Sequence, residues 1–170
     1  KNMNYHYIKT DDMNNGDGLR VTLFLSACCH QCYNCHNPET WNEKSGMTFD
    51  NNAKIKLFNE LSKDYISGIT FSGGDPLHKI NTNEVKLLIE EIKDKFPNKT
   101  IWLYSGYTWE QIFTSNNINR QLIINMCDVF VDGKYIDSLK NVNYKWAGST
   151  NQRVININKS LQENKVILWD

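Results

Sequence analysis

Excess charge of either sign is missing from this chain. Its 170 residues carry 19 Lys plus Arg against 19 Asp plus Glu, a formal net charge of zero. That balance gives no electrostatic basis for a nucleic-acid or acidic-membrane partner. No apolar run approaches the roughly 18 residues that a membrane span needs, so no membrane partner is expected either. The opening residues, KNMNYHYIKT, lack the apolar stretch of a secretory signal. The expected location is the reducing cytoplasm, where disulfides are rare. Five cysteines, an odd number, also suit a disulfide framework poorly. With only three prolines and no repeat or Pro/Gly-rich linker, nothing marks a domain boundary. Residues 1–170 are expected to form one domain, long enough to bury its own core.

What the chain does contain is an alternation of strand and helix patterns. NYHYIK (4–9) reads as a short leading strand, and VTLFLSA (21–27) as a buried, β-branched one. Residues 49–64 place Ile55, Phe58 and Leu61 at helical spacing. ISGITFS (66–72) is the next strand, stopped by Gly73-Gly74-Asp75-Pro76. Asn81 or Thr82 is placed to cap a helix whose stripe is Val85, Leu88, Ile89, Ile92 and Phe96. Strand TIWLYS (100–105), helical stretches within 108–126, strand DVFVD (128–132) and weaker strands at 153–157 and 165–169 follow. This order predicts an α/β fold on a parallel sheet. The chain is too short for a closed eight-fold barrel of about 250 residues, which leaves an open, partial barrel or a doubly wound sheet. In both, ligands gather at the carboxyl ends of strands. The cysteine loop, Gly-Gly-Asp-Pro, Ser105-Gly106 and Asp132-Gly133 all follow strands, which predicts a single site.

ACCHQCYNCHNPETW (27–41) packs four cysteines into eight positions. Two triads can be drawn from it: Cys28, Cys32 and Cys35, or Cys29, Cys32 and Cys35. Zinc sites usually draw ligand pairs from separated segments, although His30 and His36 could substitute for thiols. A ferredoxin-like carrier would use the second triad with a remote fourth cysteine, and Cys127 is the only candidate. A lone cysteine before an apolar strand is more often a small core residue. The first triad, C-x3-C-x2-C, fits a [4Fe–4S] cluster with one iron open to a small molecule.

At this spacing the chain resembles the radical S-adenosylmethionine enzymes. TFSGGDPL (70–77) is similar to their second motif, a strand ending in Gly-Gly-Glu or Gly-Gly-Asp, where glycine lets the backbone approach a ligand closely. NNGDGLRVTLFLSAC with CHQCYNCHNPETW resembles the activases of glycyl-radical enzymes. DVFVDGKY (128–135) and GSTNQRV (148–154) narrow this to the compact activases of anaerobic ribonucleoside-triphosphate reductases. The resemblance runs from about residue 5 to 157.

The resemblance implies a partial βα barrel with helices outside and a cluster held by Cys28, Cys32 and Cys35. It implies S-adenosylmethionine on the open iron, cleaved by an electron to methionine and a 5′-deoxyadenosyl radical. That radical would take a hydrogen atom from a glycine of the reductase, with a flavodoxin or ferredoxin as electron donor. Ser72, Gly73, Gly74 and Asp75 would line the methionine end, with Asp75 near the ammonium group. Ser105 and Asp132 would face the cofactor, and the backbone at Asn34 would meet adenine. Cys29 is a spare thiol in this reading. Alternatives are an activase of another glycyl-radical enzyme such as pyruvate formate-lyase, a small-molecule radical enzyme, or a non-enzymatic electron carrier or zinc module. Among the remaining residues, His30 and His36 are expected to hydrogen-bond within the loop. Trp102, Trp109 and Phe130 are expected in packing, Arg153 in an ion pair or an anion contact, and Lys134 and Tyr135 on a partner surface.

Overall fold

Alternation along β2 (Arg20–Leu25) sets up two unlike faces of one sheet. Val21, Leu23 and Leu25 join the main core, while Arg20 and Thr22 enter a polar network on the other side. The structure is a computed structural model and describes residues 3–170; Lys1 and Asn2 of the expected 1–170 domain lie outside it. The other strands are β1 (Asn4–Asp12), β3 (Met47–Thr48), β4 (Gly68–Gly73), β5 (Thr100–Tyr104), β6 (Val129–Asp132) and β7 (Arg153–Asn156). The helices are α1 (Asn51–Leu61), α2 (Thr82–Lys95), α3 (Trp109–Thr114), α4 (Ile118–Met126) and α5 (Ile157–Glu163).

The seven strands form one open sheet in the order β3-β1-β2-β4-β5-β6-β7. The central four are mutually parallel, so their carboxyl ends and the loops that follow them lie at one edge. The flanks depart from the all-parallel expectation: β1 and β3 on one side and β7 on the other run antiparallel to their neighbours. Only residues 13–19 separate β1 from β2, too few for the crossover that a parallel pair requires.

Side chains of α1, α2, α4 and α5 (Leu57, Ile89, Ile123 and Ile157 among them) bury against Leu23, Phe71, Leu103 and Phe130 of the strands. On the opposite face Trp102, Val129, Val131 and Val154 pack together, with Trp146 and Trp169 edge-on to Trp102. Arg20 is fully buried there, 5.6 Å from the Trp102 ring centre. Its guanidinium donates to Thr70 Oγ1, to Thr100 Oγ1 and to the carbonyls of Asp17, Ile69 and Thr100 at 2.8–2.9 Å. Burial pushes its pKa down to about 10, so it stays charged at neutral pH.

The helical stretches expected within 108–126 are α3 and α4, each started by its own side-chain cap, Thr108 and Asn117. Two other local expectations change. Asn81 takes the N-cap position of α2 but makes no side-chain capping bond; its amide donates to the carbonyls of Ser26 and Asp75. The expected strand at 165–169 is reduced to a bridge between Ile155 and Leu168, and residues 157–163 before it are helical.

Candidate functional site

β2 ends in the cysteine loop, whose base is sewn to its surroundings by backbone bonds. Ala27 N donates to Thr40 O (2.8 Å), Cys28 N to Trp41 O (3.0 Å) and Asp75 N to Ala27 O (2.7 Å). Ala27, Gln31 and Asn34 all take left-handed φ values, which curl the short loop back on itself. Cys28, Cys32 and Cys35 line one open cavity of about 520 Å³. Cys29 is absent from that lining; it is exposed, with Sγ 3.5 Å from the Tyr107 hydroxyl. Cys127, the only remote candidate for a fourth ligand, is buried in the core at the end of α4.

All five thiols are free. Burial pushes Cys28 up to about 12 and also raises Cys32. Both therefore keep their protons at neutral pH until a cation displaces them. Among the described residues no three His, Cys, Asp or Glu side chains are gathered tightly enough for one metal ion. A four-iron cluster is a wider object than one ion and takes soft thiolate ligands at its corners. Three thiols facing one cavity suit that group.

The other elements bring backbone to the same cavity. Ser72, Gly73 and Gly74 from the end of β4, and Ser105 and Gly106 after β5, line it. Gly73 has φ 102°, and a Cβ there would meet Leu25 N at 2.4 Å and Leu25 O at 2.5 Å. The glycine thus serves the close approach of β4 to β2 as well as the cavity. Beyond β6, Gly133, Lys134 and Tyr135 line a further side, and residues 145–148 approach it with Tyr104 donating to Trp146 O.

Three expected site residues do not line the cavity. Asn34 donates to Asp137 at 3.2 Å. Asp132 is buried and paired with Arg153, whose Nη2 lies 2.6 Å from Oδ2, while Glu110 takes the guanidinium's outer edge. Arg153 is thus an ion-pair residue, and these bonds push its pKa further up. Asp75 is fully buried; its oxygens accept from His30, Ser105, Gly106 N and Leu77 N. Both histidines reach outside the loop: His30 to Asp75, and His36 to the Tyr135 ring at 4.8 Å. Trp102 and Phe130 are buried, and Trp109 packs on Phe113.

The sequence carries no signal for the His30–Asp75 contact, because 45 residues and a crossover separate the partners. The same holds for Arg120, which stacks 4.2 Å over the Tyr107 ring and donates to its hydroxyl.

Residues 14–155 match the family described as a 4Fe-4S single cluster domain. Curated relatives include the anaerobic ribonucleoside-triphosphate reductase-activating protein of Enterobacteria phage T4, 42% identical over 153 residues, 89% of this chain and 93% of that protein. The protein so named in Escherichia coli K12 is 38% identical, covering 89% and 97%. Its counterpart in Vibrio cholerae is 39% identical, covering 88% and 96%. With nearly the whole chain matched on both sides, this protein belongs to the family of anaerobic ribonucleoside-triphosphate reductase-activating proteins.

Proposed function

We propose that the chain activates an anaerobic ribonucleoside-triphosphate reductase, using a [4Fe–4S] cluster on Cys28, Cys32 and Cys35 together with S-adenosylmethionine. The carrying observation is that these three thiols, and not Cys29, line one cavity with the side-chain-poor turn Ser72-Gly73-Gly74. When bound, the cluster and S-adenosylmethionine supply a 5′-deoxyadenosyl radical able to take a hydrogen atom from a glycine Cα.

The chain's own contribution is mounting and access. The cysteine loop supplies the thiolates, and the glycine turn presents backbone to the cavity, packed against Leu25 and Ala27 too closely for a side chain. The open sheet is read as a partial radical-enzyme barrel. Its uncovered strand-end edge suits a protein segment, which needs a wider entrance than a small molecule. Hydrogen-atom transfer demands close placement of the glycine, so the reductase must present a flexible segment there. No proton has to move in that step, consistent with His30 and Asp75 being bonded to each other. A cytoplasmic setting and a flavodoxin or ferredoxin donor complete the reading.

An anaerobic assay tests it. Protein reconstituted with iron and sulfide, reduced and given S-adenosylmethionine is expected to form 5′-deoxyadenosine. With the reductase added, a glycyl-radical doublet should appear by electron paramagnetic resonance. A bound cluster that yields no 5′-deoxyadenosine would sink the proposal and leave an electron carrier.

A further inference from the structure

We infer that Asp75 is a positioning residue that fixes the segment between Cys28 and Cys32 through His30, and is not a contact for the ammonium group of the bound cofactor. This rests on the cluster reading of Cys28, Cys32 and Cys35 and specifies how that mount is held.

The carboxylate is closed to a ligand. Asp75 is fully buried and does not line the cavity. Its Oδ1 accepts from Leu77 N at 2.8 Å. Its Oδ2 accepts from His30 Nε2 at 2.6 Å, Ser105 Oγ at 2.9 Å and Gly106 N at 3.1 Å. Of the carboxylate's four or so lone-pair sites both on Oδ2 are taken, and burial keeps the remaining one on Oδ1 away from the cavity.

His30 is placed to transmit that anchorage. It lies between Cys28 and Cys32, with a side chain only 5% exposed. Its ring stands edge-on to Tyr107 at 4.7 Å. It also sits against the backbone of Gly106, where an added Cβ would come 2.4 Å from the ring's Cδ2. The base of the loop is held by backbone bonds at Ala27 and Cys28 and by the Asn81 amide on Ser26 O. His30 ties the segment just beyond that base, between Cys28 and Cys32, to the turns that follow β4 and β5. His30 itself lines the cavity and holds the chain between two of the proposed ligands. Supports outside the ligand set fix ligand orientation, and their loss typically costs about 10–100-fold in metal affinity.

The test compares reconstituted full-length wild type with His30→Phe, Asp75→Asn, the double variant and His30→Gln. Three quantities are read: the rate of cluster loss to a chelator, hydrogen exchange of the amides at 28–35, and S-adenosylmethionine affinity of the loaded fraction. His30→Phe and Asp75→Asn should each speed cluster loss about tenfold or more, and the double variant should be no worse than either. Exchange should rise at 28–35 and not across the sheet. His30→Gln, which retains an N–H donor, should recover most of the loss. Cofactor affinity should be unchanged in loaded Asp75→Asn. Gly106→Ala, which crowds the ring and leaves both partners in place, should also speed cluster loss, and it keeps the test available if a buried polar variant fails to fold. The inference is overturned if His30→Phe and Gly106→Ala release the cluster at the wild-type rate, or if Asp75→Asn weakens cofactor binding with normal release. A wild-type protein that takes up no cluster would instead overturn the site reading beneath it.

Discussion

Arg20 shows how much one residue can organise. A buried guanidinium with all its hydrogen-bonding directions used joins β2, β4 and β5 under the site. Removing it strands several buried acceptors, each costing about 1–3 kcal/mol. Arg20→Met is expected to lower unfolding free energy by about 3 kcal/mol or more, measured by urea denaturation. Arg20→Lys should recover only part, since an ammonium has three donors and no planar fork. In the sequence Arg20 stands out only as one residue of NNGDGLRVTLFLSAC. Its packing role was not legible, because its partners Thr70 and Thr100 are 50 and 80 residues away. That Cys28, Cys32 and Cys35 come to line one cavity is legible at this scale, because their spacing is local and belongs to one loop.

Elements were read well where burial and local pattern agree. The four central strands are short apolar runs closed by turn residues, and all appear near their expected positions. The misses came where tertiary contacts outweigh propensity. Residues 157–163 carry only Ile157 and Ser160 buried, too sparse a stripe to announce a helix. Asn81 looks like a helix cap, yet its amide is drawn into the loop by two buried carbonyls. Gly73 is where element pairing and site coincide. Gly73→Ala combines a φ of 102° with a Cβ 2.4 Å from Leu25 N. Left-handed backbone alone costs a non-glycine residue about 1–2 kcal/mol, and the clash adds to it. This variant is expected to melt well below wild type in a thermal scan and to hold less iron; a melting point within a degree or so of wild type would contradict the close approach of β4 to β2.

At the scale of the whole molecule, one edge of an open sheet gathers the loops that follow β2, β4, β5 and β6. That convergence was foreseeable from strand–helix order, whereas the antiparallel flanks were not, since their registers are settled by short connections and edge pairing. In the proposed site the cavity-facing triad, Cys28, Cys32 and Cys35, mounts the cluster and Cys29 stands outside it. The four single Cys→Ser variants, reconstituted anaerobically and assayed for bound iron and sulfide and for the resonance of the reduced cluster, test it most directly. Cys29→Ser should match wild type, while Cys28→Ser, Cys32→Ser and Cys35→Ser should each lose the cluster. A Cys29→Ser protein without a cluster beside a Cys28→Ser protein that keeps one would contradict it.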